Sequence, residues 1–156
     1  MAGRAYDAAM NDDDIRLRIA TYRLFVEMDR VPTVDDVAAA VGLPIDEAIL
    51  AWHRLAEAHA IVLEPGTNRL RMANPFSAVP TSHRVRVAGR WWFANCAWDA
   101  FGICAALHAD GRIESTCLDC GERIDVEVRD RQPDDASLVF HCGVPAASWW
   151  DDIVFT

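Results

Sequence analysis

A cysteine and a carboxylate stand three residues apart in the aromatic stretch R-W-W-F-A-N-C-A-W-D, as Cys96 and Asp99. In a helix this spacing places both side chains on one face. Asn95 is predicted to cap that helix, and Cys96 would then lie in the first turn, where unpaired N–H groups and the helix dipole lower a thiol's pKa. Aromatic neighbours should exclude water and raise the pKa of the carboxyl group. They are Trp91, Trp92, Phe93, Trp98 and Phe101. The sequence thus predicts a soft nucleophile beside a proton donor, or else a buried amphipathic helix in which Cys96 is only a small hydrophobic residue.

Two further cysteines, Cys117 and Cys120, form the knuckle C-L-D-C-G, whose spacing is typical of structural zinc sites. A tetrahedral site needs two more ligands, and the nearby candidates His141 and Cys142 are adjacent, so they could hardly both bind one metal ion. The spacing therefore leaves two interpretations open, a zinc ribbon and a secondary soft-metal site. Cys104 lies two helical turns after Cys96 and is predicted to pack in the core. Ordinary surface histidines are expected at His53, His59, His83 and His108.

Composition excludes several classes of protein. The 156 residues are 52% hydrophobic, which is enough for a core, and the formal net charge of -9 argues against a general binder of nucleic acid or anionic membranes. No apolar run approaches the length of a membrane span, and the first residues lack the apolar region of a signal peptide. We therefore expect a cytoplasmic protein. Five cysteines in a reducing compartment favour thiol or metal chemistry over disulfide bonds.

The first part of the chain, residues 1–73, has the pattern of a winged helix. After a loose lead-in over residues 1–11, a helix starts near Asp12, and a second runs from a cap at Thr33 to a stop at Gly42. A third helix over residues 44–58 should turn Ile45, Ile49, Trp52 and Leu55 inward. The stretch A-I-V-L-E-P-G-T-N-R-L-R-M then predicts a β-hairpin with its turn at residues 65–68. Three helices followed by a hairpin predict a winged-helix-like unit.

A winged helix invites a role in DNA binding, but the charges oppose it. The third helix, P-I-D-E-A-I-L-A-W-H-R-L-A-E-A-H, is acidic on balance and offers Arg54 and little else to phosphate groups. The wing adds only Arg69 and Arg71. We therefore expect no specific nucleic-acid partner and favour a structural domain.

Short alternating segments follow a Pro/Ser-rich linker at residues 74–82, in which Phe76 and Val79 are expected as lid-like contacts near the site. Strands are predicted at residues 83–87, 112–117, 123–130, 137–142 and 153–156, with a turn at 132–135 and a short helix around Trp149. Together with the helix that carries Cys96 and Asp99, they predict an α+β domain over residues 83–156, with a mainly antiparallel sheet around one central helix.

Three segments resemble the alkylmercury (organomercurial) lyases: N-C-A-W-D-A-F-G-I, R-I-E-S-T-C-L-D-C-G-E-R-I-D-V-E-V and S-W-W-D-D-I-V-F-T. The resemblance covers most of the chain from Phe76 onward. It implies cleavage of carbon–mercury bonds without a cofactor, with Cys96 as a mercury ligand and Asp99 as the proton donor. It also implies that Cys117 is structural, whereas Cys120 is additional. An organomercury substrate, and cellular thiols and a mercuric reductase as acceptors of the mercury ion, are the implied partners.

The resemblance also implies a second catalytic thiol directly after the segment I-V-F-T, at what would be position 157. Cys142 precedes that segment and is not its counterpart by register. We therefore expect a catalytic domain that is incomplete at its C-terminal end, with a cysteine or a selenocysteine at position 157. Two alternatives are a non-catalytic mercury- or zinc-binding thiol protein and a winged-helix metal-responsive regulator.

Overall fold

The computed structural model describes residues 10–154. The chain divides into two compact units, residues 1–73 and 74–156. Within the described part, no helix is both long enough and apolar enough to cross a membrane.

Three helices form the first unit: α1 (Asp12–Glu27), α2 (Val34–Val41) and α3 (Ile45–Glu57). Local capping explains where the first two begin. The side chain of Asn11 caps α1 and that of Thr33 caps α2, each in a capping box with an aspartate three residues on. Gly42 ends α2 in the left-handed conformation, with φ of 72°, which glycine adopts without steric cost.

The helices bury one apolar core beside a hairpin of β1 (Val62–Leu63) and β2 (Leu70–Ala73). The indole of Trp52 lies in this core and donates a hydrogen bond of 3.0 Å to the Thr21 hydroxyl, a bond that contributes about 1 kcal/mol. Leu55 is also buried, as predicted, but Ile45 at the start of α3 is 38% exposed. The predicted order of three helices and a hairpin is confirmed.

Six strands of the second unit pair in the order β3-β5-β4-β6-β7-β8, with every pair antiparallel. Their bounds are β3 (Phe76–Ser77), β4 (Arg84–Val87), β5 (Arg90–Ala94), β6 (Gly111–Thr116), β7 (Arg123–Arg129) and β8 (Gln132–Pro133). Burial alternates along β4 with the two-residue period of a strand: Val85 and Val87 are buried, and Arg84 and Arg86 are exposed. The predicted α+β class with an antiparallel sheet is confirmed.

Helix α4 (Ala97–Ala106) packs on the sheet against β4, β5 and β6. Its buried residues Ala100, Ile103 and Cys104 face the sheet. The helix comes so close to β6 that a Cβ at Gly111 would lie 2.7 Å from the Cys104 sulfur, so this strand position requires glycine. The prediction that Cys104 packs in the core is confirmed.

The end of the chain departs from the prediction. Residues 137–142 were expected as a strand but have no regular structure. The expected turn at residues 132–135 is also displaced, since the chain turns at Asp130 and Arg131 instead. A 3-10 helix over Ala146–Asp151 matches the short helix expected around Trp149. Ile153 and Val154 lie in a turn, and the other two residues of the predicted last strand, Phe155 and Thr156, fall outside the described residues.

Candidate active site

The junction between β5 and α4 carries the predicted thiol and carboxyl groups. Cys96 is itself the N-cap residue of α4, with extended backbone dihedrals (φ -146°, ψ -179°) and no side-chain capping bond. The prediction that Asn95 caps this helix is therefore wrong. Asp99 lies in the first turn, so both side chains meet at the helix start.

Asn95 has a different role, which the sequence analysis missed. Its side-chain nitrogen donates a 3.0 Å hydrogen bond to the Asp99 carboxylate and another of 3.0 Å to the Asn74 side-chain oxygen. It also lies 3.3 Å from the carbonyl oxygen of Pro75. One amide therefore ties the carboxyl group to the segment before β3. The spacing of Asn95 and Asp99, i and i+4, was the signal available in the sequence.

The segment at residues 74–76 is pressed against α4. A Cβ on Gly102 would lie 3.0 Å from the Pro75 ring, so the glycine permits this approach. Phe76 next to it is 2% exposed and meets Trp92 edge to face, at 6.2 Å between ring centroids. Phe76 is thus a core residue, and the lid role predicted for it is wrong. The segment forms a fixed wall of the site.

Burial raises the pKa of both reactive groups. Desolvation raises the pKa of the Asp99 carboxyl, against the lowering effects of hydrogen bonds from Asn95 and Cys96. The direction predicted for Asp99 is confirmed. Desolvation also raises the pKa of the Cys96 thiol and outweighs the backbone N–H groups of Asp99 and Trp98, which lower it. The prediction of a lowered Cys96 pKa is therefore wrong, because loss of hydration is stronger here than the helix start.

The two groups act on each other directly. The Cys96 sulfur lowers the pKa of the Asp99 carboxyl, and the carboxylate charge raises the pKa of the thiol in turn. Two negative charges in one partly buried site repel, so the pair favours states that keep one proton between them. The site therefore presents a soft metal ligand beside a carboxyl group that can accept or donate a proton.

The aromatic setting is more open than predicted. Trp91, Trp98 and Phe101 are 43%, 62% and 39% exposed, and Trp92 alone of the five predicted aromatic residues is buried. Trp98 instead contacts Phe140 in the irregular segment, with ring centroids 5.9 Å apart. The site is therefore walled by the helix, β5 and residues 74–76, and its aromatic side is accessible.

The same segment brings a second thiol toward the site. Cys142 follows Phe140 by two residues, and its charge adds to the effects that raise the pKa of Cys96. Its sulfur donates a 2.9 Å hydrogen bond to the carbonyl oxygen of Val144, which also accepts a bond from the Trp149 indole. Cys142 is exposed.

The remaining candidates occupy other places. Cys117 and Cys120 lie in the turn between β6 and β7, and within residues 10–154 no group of three or more His, Cys, Asp or Glu side chains could hold a metal ion.

His83, expected on the surface, is 8% exposed. Its Nδ1 lies 2.7 Å from the Ser115 hydroxyl, and burial lowers its pKa. That expectation is wrong because His83 lies two residues before the buried Val85. Side chains alternate between the faces of a strand, so both point to the buried face.

The fold and the site together define an α+β protein in which a helix start presents a thiol and a carboxyl group. The family model of the alkylmercury lyases (MerB) matches residues 76–156, slightly more than half of the chain. The chain belongs to the alkylmercury lyase family. Among solved structures it is similar to the mercury-bound form of MerB2, with a TM-score of 0.55 and 23% sequence identity over 78% of this chain. The chain spans 66% of that protein's length, and at this identity the likeness establishes the fold. No curated protein sequence matched.

The mutual effect of the two groups predicts a pH shift. In Asp99→Asn the carboxylate charge is gone, so the pKa of Cys96 should fall, and iodoacetamide should alkylate Cys96 at lower pH than in the parent chain. The rate at Cys96 is followed against pH by mass spectrometry. Asp119→Asn, which changes a carboxylate next to Cys120, serves as the control and should leave the Cys96 profile in place. An unchanged profile in Asp99→Asn would show that the two groups do not interact.

Proposed function

We propose that this protein cleaves the carbon–mercury bond of organomercury compounds, with Cys96 as the mercury ligand and Asp99 as the proton donor. Family membership supports the reaction class. The observation that carries the residue assignment is the placement of Cys96 at the N-cap of α4 and of Asp99 in its first turn, where Asn95 holds the carboxyl group. Mercury is a soft metal and prefers sulfur to oxygen or nitrogen ligands, so the thiol is the group that binds it.

The proton balance of the pair fits this reaction. As the sulfur of Cys96 bonds to mercury, its proton passes to the Asp99 carboxylate, which burial predisposes to accept it. The carboxylic acid then gives that proton to the carbon atom as the carbon–mercury bond breaks. The products are a hydrocarbon and a mercuric ion bound to sulfur, and Asp99 returns to its carboxylate form. Asn95 holds the carboxyl group in place through both steps.

Electron donation from a second thiolate would weaken the carbon–mercury bond further. The family resemblance implies such a thiol directly after the segment I-V-F-T. Within this chain, Cys142 is a thiol whose charge acts on Cys96, and it approaches the site through the contact of Phe140 with Trp98. We therefore assign Cys142 as an auxiliary sulfur ligand. The mercuric ion then leaves for cellular thiols or for a mercuric reductase.

Replacement of Cys96 tests the mercury ligand. Cys96→Ser should release no benzene from phenylmercuric acetate, because serine offers no soft ligand. Cys142→Ser should slow benzene release without abolishing it. Cys120→Ser, in the turn between β6 and β7, should leave the rate unchanged, because the excess thiol takes up the mercuric product. Benzene is measured by gas chromatography in the presence of excess thiol. Parental turnover in Cys96→Ser would refute the assignment.

Replacement of Asp99 separates binding from cleavage. Asp99→Asn should still bind phenylmercury through Cys96, but benzene release should fall by about 10²–10⁴-fold, the usual contribution of a positioned acid. Binding is measured as loss of one titratable thiol, and cleavage as hydrocarbon. Asp110→Asn, which removes a carboxylate in the turn after α4, is the control. If Asp99→Asn cleaves at the parental rate, another group supplies the proton.

The first unit is proposed as a structural domain without specific affinity for DNA. Two of its basic side chains are already engaged: Arg54 on α3 forms an ion pair with the buried Asp14, at 2.6 Å, and Arg69 on the hairpin pairs with Glu64. Mobility-shift assays at physiological salt should give no sequence-dependent complex below micromolar concentration. A specific shift that Arg54→Ala abolishes would overturn this proposal.

A further inference from the structure

The turn between β6 and β7 presents two thiols that the proposed reaction does not use. Cys117 follows the last residue of β6 and is half-buried, and Cys120 lies three residues further on and is exposed. The turn is held by its own backbone: the N–H of Cys117 donates 2.8 Å to the carbonyl oxygen of Glu122, and the N–H of Gly121 donates 2.9 Å to that of Cys117. Gly121 adopts φ of 74°, which closes the turn.

The turn places the two cysteines three residues apart, in the C-x-x-C spacing that metal knuckles use. Thiolate sulfur is a ligand that soft metal ions prefer. Because backbone hydrogen bonds already close the turn, binding an ion there needs little reordering of the chain.

From this geometry we infer that Cys117 and Cys120 form a second metal site, which binds one soft, two-coordinate cation such as the mercuric ion. Each thiol releases its proton to solvent as its sulfur bonds to the ion, so two sulfur–mercury bonds form and two protons leave. Because no third or fourth ligand stands nearby among the described residues, a two-coordinate ion fits the site better than tetrahedral zinc.

The site lies at the same end of the sheet as Cys96. Arg84 in β4 pairs with Phe93 in β5 and with Glu114 in β6, so β5 and β6 finish at the same level on either side of β4. These two strands are two strand spacings apart, about 10 Å. This next step rests on the proposed function. A mercuric ion that leaves Cys96 has the sulfurs of Cys117 and Cys120 close by, and they can bind it as they replace the Cys96 thiolate.

The experiment removes the site around Cys96 and leaves the turn. Reduced Cys96→Ser/Cys142→Ser protein is titrated with mercuric chloride, and accessible thiols and bound mercury are counted after washing with a monothiol at about 1 mM, which a chelating pair should resist. We expect one retained mercuric ion and the loss of two accessible thiols. Adding Cys117→Ser or Cys120→Ser should abolish retention. Adding Leu118→Ala, an exposed residue in the same turn, should not.

Three outcomes would overturn the inference: retention that survives both cysteine replacements, the loss of one thiol per ion, or zinc retained as firmly as mercury. Circular dichroism and the protection of the buried Cys104 from thiol reagents report that each variant is folded. The Cys96→Ser/Cys142→Ser protein lacks the proposed mercury ligand of the lyase reaction, and mercuric chloride has no carbon–mercury bond. The binding result is therefore independent of the proposed lyase activity. If the double variant binds mercury while the parent chain releases no hydrocarbon, the second site holds and the proposed function fails.

Discussion

In the proposed mechanism, the site depends on a proton shared by Cys96 and Asp99. Each group alone would ionise near its usual pKa, but partial burial removes water from both and their charges repel. A thiol with a carboxylate, or a thiolate with a carboxylic acid, avoids the repulsion, and the two states differ only in which atom carries the proton. The N–H groups at the helix start favour the state with a thiolate and a carboxylic acid, but they do not outweigh the effect of burial on the thiol. Binding of a soft metal to the sulfur would tip the balance, because mercury displaces the thiol proton.

That shared proton demands fixed positions, and the packing of the second unit provides them. Pro75 packs against α4 at Gly102, and Cys104 in the second half of the helix contacts Gly111 in β6. A Cβ would lie 3.0 Å from Pro75 at the first position and 2.7 Å from the Cys104 sulfur at the second, so glycine permits both close approaches. Asn95 then limits the movement of the Asp99 side chain. Packing therefore holds the second half of α4, and Asn95 ties the first turn to the segment before β3.

Sequence reasoning succeeded where the cause of a structure is local. Thr33 and Gly42 predict the ends of α2 because capping acts over three or four residues, and the alternation in β4 and β7 predicts strands because side chains point to opposite faces in turn. Sequence reasoning failed where the structure depends on parts of the chain that are distant in sequence. Residues 137–142 have strand-like composition but no regular structure, because composition does not supply the neighbouring strand with which a strand must pair. The pKa of Cys96 likewise depends on burial within the folded unit, and this effect outweighs the local helix start.

The cysteines show how far environment separates chemically identical groups. Cys96 is partly buried and its pKa is raised, whereas Cys117 stands in an accessible turn and its N–H donors lower its pKa. A thiol that keeps its proton suits a step in which that proton is later needed on carbon. A thiol that loses it readily suits capture of a free metal ion. In the proposed scheme, Cys96 therefore takes part in cleavage and Cys117 in capture of the mercuric ion. Strand pairing brings the two to the same end of one sheet.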